Sequence, residues 1–383
     1  MRVFNYGKQT ILSDDINAVV EVLKSDYLTQ GPKIKEFETA ICKYTGAKYC
    51  VVVSNATAAL HLTILAAGVK SDDEVITSPN TFVASANCAK YIGASVKFAD
   101  IDLETANINT DEIKNQITGK TRAIIPVHFA GQSCDMEAIH NLAKEKGVFV
   151  IEDAAHAIGS DYKNTKVGSC AYSDMTVFSF HPVKTITTGE GGAITTNSED
   201  LYRKLLLFRS HGITRNPDEM SKNDGLWYYE MQELGFNYRM TDMQAALGIS
   251  QLKKLDQFKS KRKGIISIYK KFFKDDPRIS FLKEMDFSEA CFHLCPILID
   301  FQKFGISKKK LMQDLFDAGL RLQVHYIPAH LQPYYQKQSF SKRDYPNAER
   351  YYEQTISLPL YPSLSEDDIK YIVQTFLRVL DNV

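Results

Sequence analysis

A lysine that follows an apolar, β-branched stretch is the residue of this sequence best suited to chemistry. Lys184 lies in TVFSFHPVKTITTGEGGAITTN (176–197), after a bend at Pro182 and before a glycine-rich turn. A lysine held just past a strand, among small and hydroxylated residues, can present its amine to a ligand, as Schiff-base chemistry requires. Most loop lysines are solvated, however, so this segment alone does not distinguish a catalytic lysine from a surface one.

An aspartate 31 residues upstream of that lysine is the second candidate. Asp153 follows the apolar run VFVIE and opens DAAHAIG, whose residues are mostly too small to make many contacts. A buried carboxylate is costly unless it meets a cation or several donors, so this position requires a positively charged or protonated partner. No Arg or Lys is adjacent in sequence. An ordinary helix N-cap explains the same residue equally well.

Small residues and an aromatic side chain follow two further apolar runs. SNATA (54–58) comes after YCVVV, and Phe82 comes after EVITSPNT. Free backbone N–H groups and the dipole at a helix start favour an anion such as phosphate, and a phenylalanine at the same edge can stack on a flat ring. Each feature also has an ordinary explanation, as an N-cap and as a core residue.

These positions taken together favour pyridoxal phosphate as a cofactor. A phosphate cradle, an edge aromatic, an acid and an amine are the parts needed to hold it, and they occur in that order along the chain. The sequence contains no G-x-G-x-x-G after its first strand, no Walker A motif, no G-x-S-x-G and no H-E-x-x-H. These four features in this order predict that Lys184 is catalytic. A lysine alone would not support that prediction.

Alternating apolar strands and helices surround these residues. From Tyr49 the pattern predicts strands at YCVVV, EVITS, SVKFAD, RAIIPVH and VFVIED, separated by helices that include 56–67, 82–92 and 135–146. This rhythm indicates a mostly parallel sheet covered on both faces, in which ligands bind beyond the carboxyl ends of the strands.

The composition and hydrophobic pattern of the sequence change near Gly248. A long charged helix is predicted over 251–271, followed by shorter mixed segments and a tyrosine-rich run. We therefore predict two domains, residues 12–248 and 249–383, with residues 1–11 packing back onto the C-terminal one.

Composition excludes several classes of partner and compartment. The 383 residues carry 46 basic and 46 acidic side chains, which leaves no electrostatic footprint for nucleic acid or an anionic membrane. The N-terminal stretch lacks the apolar segment of a signal peptide, and no apolar run approaches membrane-spanning length. We therefore expect a cytoplasmic protein.

The seven cysteines do not form the paired framework of a small secreted domain. The one suggestive cluster is Cys291-Phe-His293-Leu-Cys295, where alternate positions would share one strand face. Neighbours on one strand rarely converge on a metal without ligands from elsewhere, so we predict a strand here and no metal site.

Nine motifs, spread nearly from end to end, match one protein family. They are YGKQTI, LTQGP, SNATAAL, SPNTFVASAN, EDAAHAIG, SFHPVKTITTGEGG, LGFNYRMTDMQAALG, VHYIPAH and SLPLYPSL. On these motifs the chain resembles the sugar-nucleotide aminotransferases of the DegT/DnrJ/StrS kind. The resemblance implies the α/β fold of fold-type-I pyridoxal-phosphate-dependent transferases, with a mostly parallel seven-stranded sheet flanked by helices and a smaller C-terminal α+β domain.

The resemblance also implies roles for individual residues. Lys184 is similar to the Schiff-base lysine, Asp153 to the partner of the pyridine nitrogen, and Phe82 to the stacking aromatic, while His156 matches the residue beside the phenolic oxygen. Thr57, Ala58 and Ser179 resemble phosphate ligands, and Asn237 of a neighbouring subunit completes them, which implies a homodimer with a shared active site. Four further residues match stretches near the sugar nucleotide, although each can equally be structural: Tyr6, Thr29, His325 and Tyr326.

The form SFHPVKTITTGEGG resembles the UDP-4-keto-sugar aminotransferases of pseudaminic acid biosynthesis. It implies amino transfer from L-glutamate to C4 of UDP-2-acetamido-2,6-dideoxy-β-L-arabino-hexos-4-ulose. Other nucleotide 4-keto sugars, a UDP-pentose or a dTDP-6-deoxyhexose, remain alternatives. Some relatives with histidine in place of the lysine are dehydratases, so Lys184 favours transamination. A PLP-dependent dehydratase, a regulatory PLP-binding protein and an α/β binding module without PLP are the rival functions.

Overall fold

The strands and helices below belong to a computed structural model that describes residues 2–382. The strands, in chain order, are β1 (Phe4–Asn5), β2 (Tyr49–Val53), β3 (Glu74–Thr77), β4 (Ser95–Phe98), β5 (Thr121–Ile125), β6 (Phe149–Asp153), β7 (Asp161–Tyr162), β8 (Thr165–Lys166), β9 (Met175–Ser179), β10 (Gly192–Thr196), β11 (Ile213–Thr214), β12 (Glu230–Met231), β13 (Ile279–Phe281), β14 (Ser288–Glu289), β15 (Cys295–Ile299), β16 (Leu320–Arg321) and β17 (Thr355–Leu358).

The α-helices surround these strands. They are α1 (Ser13–Leu23), α2 (Pro32–Thr45), α3 (Ala56–Ala66), α4 (Ala84–Tyr91), α5 (Thr110–Gln116), α6 (Met136–Lys146), α7 (Glu199–Arg209), α8 (Asp242–Leu252), α9 (Leu255–Phe273), α10 (Phe301–Phe304), α11 (Lys308–Asp317), α12 (Pro333–Gln336), α13 (Pro346–Gln354) and α14 (Glu366–Leu380).

Seven strands form the central sheet, in the order β2-β10-β9-β6-β5-β3-β4. All neighbouring pairs are parallel except the two made by β10, which runs antiparallel to β2 and to β9. The mostly parallel seven-stranded sheet expected from the sequence is therefore confirmed. Because β2 and β9 both run against β10, they point the same way as the rest, and their carboxyl ends share one edge with those of β3, β5 and β6.

The alternation of side chains along β2 explains why both faces of the sheet are covered. Val51 and Val53 join the core that contains α3, whereas Cys50 and Val52 join the opposite core, to which α2 contributes Phe37. Successive residues of a strand point to opposite faces, so an unbroken apolar run is what a strand between two helix layers requires. This burial fixes the sheet edge on which the polar residues collect.

Two predicted elements are wrong in their bounds. The helix expected over 251–271 is broken at Lys253 and Lys254, where Lys254 turns toward α1 and its Nζ lies 2.8 Å from the buried carboxylate of Asp15. The strand expected over 291–295 begins only at Cys295. The backbone of the preceding residues is bonded elsewhere: the N–H of His293 donates to the carbonyl of Ala130, at 2.9 Å.

A separate apolar core gathers the C-terminal part of the chain. It contains Phe4 together with side chains from Ile265 to Leu380, and β1 pairs in parallel with β16. Along α9, Phe258 still belongs to the core beneath the large sheet, while Ile265 belongs to the C-terminal one. The division into 12–248 and 249–383, with 1–11 joined to the second part, stays our proposal, and this change of core lies inside α9.

None of the helices formed by residues 2–382 has both the length and the apolar character that crossing a membrane requires. Over the same residues, no group of three or more His, Cys, Asp or Glu side chains is placed to hold a metal ion.

Candidate active site

A cavity of about 880 Å³ opens at the carboxyl edge of the central sheet. It is lined by residues from several strand ends and from the C-terminal part of the chain. All but two of the residues predicted to form the site line it, namely Tyr6, Thr57, Ala58, Phe82, Asp153, His156, Ser179, Lys184, His325 and Tyr326. Thr29 and Asn237 are not part of this lining.

Lys184 reaches the cavity from the bend that follows β9. Its backbone N–H donates to the carbonyl of His181 at 2.9 Å, and the N–H of Thr188 donates to the carbonyl of Phe180 at 3.0 Å, which closes the bend. Removal of the amine from water lowers the pKa of Lys184 to about 8, although the carboxylate of Asp153 acts in the opposite direction. At pH 7 about a tenth of this amine is therefore unprotonated and nucleophilic, far more than for an ordinary lysine.

Asp153 ends β6 and is 5% exposed, so its carboxylate depends on the donors around it. Ser85 of α4 donates its hydroxyl to Oδ2 at 2.6 Å, and the backbone N–H of Ala155 donates to Oδ1 at 3.1 Å. These two donors orient the carboxylate in the cavity wall, where its charge acts against burial and raises the pKa of Lys184.

The start of α3 forms a concave group of backbone donors. Asn55 caps the helix by accepting from the N–H of Ala58 at 2.8 Å, and within residues 2–382 the amides of Ala56 and Thr57 have no acceptor. Gly192 of β10 passes so close that a Cβ there would lie 2.7 Å from the carbonyl carbon of Asn55. Free amides at a helix start, with only a glycine behind them, suit a phosphate group.

His156 and Tyr326 form a hydrogen-bonded pair in the cavity. The backbone N–H of Ala130 donates to Nδ1 of His156 at 3.3 Å, and Nε2 lies 3.0 Å from the hydroxyl of Tyr326. Because Nδ1 accepts, the proton of the neutral ring is on Nε2, which donates to the tyrosine oxygen. Burial, followed by the charge of Lys184, lowers the pKa of His156 well below its usual value. The ring is therefore a neutral donor.

His325 and Tyr6 also line the cavity, next to Tyr326. Their rings lie 4.9 Å apart, and Nδ1 of His325 lies 2.8 Å from the hydroxyl of Ser357. Burial, with a further contribution from Lys184, lowers the pKa of His325 to about 3, so this ring is also neutral. Burial raises the pKa of Tyr6 and of Tyr326, which keeps both phenols protonated.

Phe82 lies at the mouth of the cavity and remains 59% exposed. Its ring centroid is 6.3 Å from that of Tyr326, and it precedes α4, which carries Ser85. An aromatic ring with one open face above a cavity can stack on a planar ligand.

Asn237 and Thr29 lie on the surface of their own chain. Asn237 pairs with Ser210, and Thr29 pairs with Thr241, in isolated backbone bridges. The backbone beside Asn237 is fixed because Tyr238 accepts from the N–H of Ser54 at 2.8 Å. Their roles at a site stay predictions, and for Asn237 that prediction concerns the site of another subunit.

Sequence reasoning missed several lining residues. His293 belongs to the stretch interpreted as a strand, His181 lies inside the lysine motif, and Tyr238 lies inside GFNYRM. Tyr238 adjoins Asn237, and His181 lies between Ser179 and Lys184, whereas His293 was considered only as a possible metal ligand. His293 reaches the cavity through contacts distant in sequence, which no local pattern reports.

The set of side chains fits pyridoxal phosphate. The free amides of α3 suit its phosphate, the carboxylate of Asp153 suits a protonated ring nitrogen, and the unprotonated fraction of Lys184 suits its aldehyde. The Nε2–H of the neutral His156 ring suits the phenolic oxygen of the cofactor, which would replace the hydroxyl of Tyr326 as its acceptor.

The comparisons with known proteins agree with this geometry. The family model for the DegT/DnrJ/EryC1/StrS aminotransferase family matches residues 9–377. The UDP-4-amino-4,6-dideoxy-N-acetyl-beta-L-altrosamine transaminase of Campylobacter jejuni is 41% identical over 100% of this chain and 98% of its own. Helicobacter pylori PseC, an aminotransferase involved in pseudaminic acid biosynthesis, superposes with a TM-score of 0.92 at 36% identity, covering 100% of both chains.

A Streptococcus pneumoniae protein described as a sugar aminotransferase, solved in its PLP form, superposes with a TM-score of 0.91 at 31% identity and covers 99% of both chains. The chain belongs to the DegT/DnrJ/EryC1/StrS aminotransferase family and is a PLP-dependent aminotransferase.

Proposed function

We propose that this enzyme transfers the amino group of L-glutamate to C4 of UDP-2-acetamido-2,6-dideoxy-β-L-arabino-hexos-4-ulose. The product is UDP-4-amino-4,6-dideoxy-N-acetyl-β-L-altrosamine. The observation that supports amino transfer most directly is Lys184, whose amine has a pKa of about 8 and faces the carboxylate of Asp153 across one cavity. The choice of sugar is supported by the full-length similarity to the Campylobacter jejuni transaminase.

When bound, pyridoxal phosphate supplies an electron-poor ring that accepts the electron pair of a broken Cα–H bond. Asp153, fixed by Ser85, would hold the proton on the ring nitrogen, and a protonated ring is a better electron acceptor than a neutral one. The amides of Ala56 and Thr57 bind the phosphate, with Ala58 and Ser179 beside them. Phe82, which lines the same cavity, would stack on one face of the ring and shield that face from water.

Lys184 has two tasks in this scheme. Its Nζ first binds the cofactor covalently. When an amino donor is bound, the same Nζ would be the base placed to move a proton between Cα of the substrate and C4′ of the cofactor. An amine with a pKa of about 8 can take up and release a proton close to neutral pH. An ordinary lysine, with a pKa of about 10.4, does so poorly.

The active site is shared between the two subunits of a homodimer in this proposal. Asn237 is exposed on its own chain, and the GFNYRM stretch would present it to the phosphate of the partner. Nearby apolar side chains support an interface, because Leu226 is 102% exposed, Trp227 is 74% exposed and Leu234 is 75% exposed. All seven cysteines are free thiols, which suits a reducing compartment, so we keep the cytoplasm as the proposed location.

The experiment that tests the function is an amino-transfer assay over a panel of UDP- and dTDP-linked 4-keto sugars, with L-glutamate as donor. We expect the highest kcat/KM for the UDP-linked N-acetyl-6-deoxy acceptor, and formation of 2-oxoglutarate in equal amount. Faster turnover of a dTDP-linked sugar or a UDP-pentose would contradict the proposed acceptor. A sugar product that has lost water without gaining nitrogen would instead identify a dehydratase.

A further inference from the structure

His293 lines the cavity without a hydrogen bond to its ring. It is 4% exposed, its Nδ1 is buried without a partner, and no donor or acceptor within residues 2–382 bonds either ring nitrogen. A buried polar group without a partner costs about 1–3 kcal/mol, so an unpaired imidazole in a cavity wall requires a partner that the described chain does not supply, such as water or a ligand.

The surroundings of His293 are positive. Its ring centroid lies 4.5 Å from that of His156, and burial, followed by the charge of Lys184 and then that of Arg262, lowers the pKa of His293 well below the usual value. The ring is therefore neutral and keeps one N–H to donate. A neutral donor among cationic groups suits an anionic ligand, because that ligand also interacts favourably with the nearby charges.

Arg262 fixes the position of His293. This arginine of α9 is 1% exposed, and its Nη1 donates to the carbonyls of Phe292 at 3.3 Å, His293 at 3.2 Å and Leu360 at 3.0 Å. No carboxylate within residues 2–382 forms an ion pair with it. Arg262 is thus a positioning residue that also leaves an uncompensated positive charge behind the imidazole.

The other basic side chains that line the cavity are either already engaged or exposed to solvent. No arginine of the described chain lines it, and the amine of Lys184 is needed for the reaction. Both ring nitrogens of His156 have partners, and Nδ1 of His325 is bonded to Ser357. His181 is exposed to solvent. His293 is the imidazole of the lining that is both buried and free at both ring nitrogens.

We propose that His293 donates its ring N–H to the α-carboxylate of the amino-acid donor and thereby anchors that donor beside Lys184. The inference rests on the proposed function, which requires a donor with a carboxylate next to the reacting Cα. A sugar-nucleotide acceptor has no carboxylate at that place. His293 therefore acts in one half of the reaction and contributes little to the other.

The test compares the two halves in His293→Phe, which keeps a ring of similar shape but removes the N–H. Holoenzyme is mixed with L-glutamate for the donor half, and its aminated form is mixed with the keto sugar for the acceptor half. We expect the half-saturating glutamate concentration to rise about tenfold to a hundredfold, the effect of about 1.4–2.8 kcal/mol. The acceptor half should stay within about twofold, and His293→Asn, which keeps an N–H donor, should lie between His293→Phe and the wild type.

Calorimetry with glutarate gives a readout that does not depend on turnover. This dicarboxylate lacks an amine, so it binds the holoenzyme without reacting, and its Kd should rise about tenfold or more in His293→Phe. His140→Phe removes an imidazole outside the cavity and should change neither value. Cofactor absorbance and Tm verify folding, and His293→Asn decides the question if the phenylalanine variant does not fold.

An unchanged glutarate Kd, or an equal loss in both halves, would overturn the role of His293. Failure of the proposed function looks different, because the wild type itself would then not react with L-glutamate or with the keto sugar. The glutarate measurement still decides about His293 in that case.

Discussion

Replacement of Asp153 by asparagine is the perturbation that most directly tests how the site stabilises the transition state of amino transfer. In the wild type, the hydroxyl of Ser85 donates to one carboxylate oxygen and the N–H of Ala155 to the other. In Asp153→Asn the amide oxygen can keep the Ala155 bond. The new NH2 then faces Ser85, whose hydroxyl can accept it, since Oγ of Ser85 also lies 2.7 Å from Oγ1 of Thr81. We therefore expect the variant to fold and to bind the cofactor.

What Asp153→Asn removes from the site is the negative charge of the carboxylate. A carboxylate about 4 Å from a cation contributes about 4 kcal/mol at an effective dielectric constant of about 20. An amide can accept a hydrogen bond from the ring nitrogen, but it cannot stabilise the positive charge there. With partial compensation we expect a loss of at least roughly 3 kcal/mol of transition-state stabilisation, which is a rate reduction of about a hundredfold or more.

The assay is the single-turnover conversion of holoenzyme by L-glutamate, followed by absorbance and repeated with glutamate deuterated at Cα. The variant should react about a hundredfold more slowly with a full isotope effect, because breakage of the Cα–H bond becomes limiting. Asp174→Asn is the matched control: this half-buried aspartate precedes β9, at the amino edge of the sheet, and accepts from the N–H of Val150 at 2.8 Å. A half-reaction rate in Asp153→Asn equal to that of Asp174→Asn would refute the role of Asp153.

Three further predictions concern the amine and the subunit interface. Borohydride should attach the cofactor to the peptide that contains Lys184, and Lys184→Ala should lose both the label and nearly all turnover; labelling of another lysine would disprove the assignment. Capture of pyridoxal phosphate by the apoenzyme should accelerate about tenfold per pH unit up to about pH 8 and then level off, because the pKa of Lys184 is lowered to about 8; a rate still rising at pH 10 would contradict this. Co-refolded Lys184→Ala and Asn237→Asp subunits should regain partial activity, since one composite site keeps both wild-type groups; proven heterodimers without activity would place Asn237 outside the partner's site.

The sheet could be predicted from the sequence because the hydrophobic pattern that indicates each strand is local. Each strand of the βα units is an apolar run closed by small or polar residues, so its type and the edge at which it ends can be inferred without tertiary information. The cavity residues inferred in this way lie at or just beyond strand ends: Asp153 is the last residue of β6, and Lys184 lies in the bend that follows β9. The break between α8 and α9 was not predictable, because it depends on the contact between Lys254 and Asp15, which lie far apart in the sequence.

His293 shows why the remaining part of the site could not be inferred in the same way. Its stretch alternates as a strand would, yet its N–H bonds to Ala130 and its carbonyl to Arg262, so that it leaves the strand pattern and faces Lys184. Those partners are at least 31 residues away, and one of them is a cation buried without a carboxylate. A local sequence pattern contains no information on the free-energy cost of burying a cation in this way. The parts that hold the cofactor lie at strand ends, whereas the residue that we assign to the amino donor is positioned by backbone bonds to Ala130 and Arg262. Its substitution should therefore separate the two halves of the reaction.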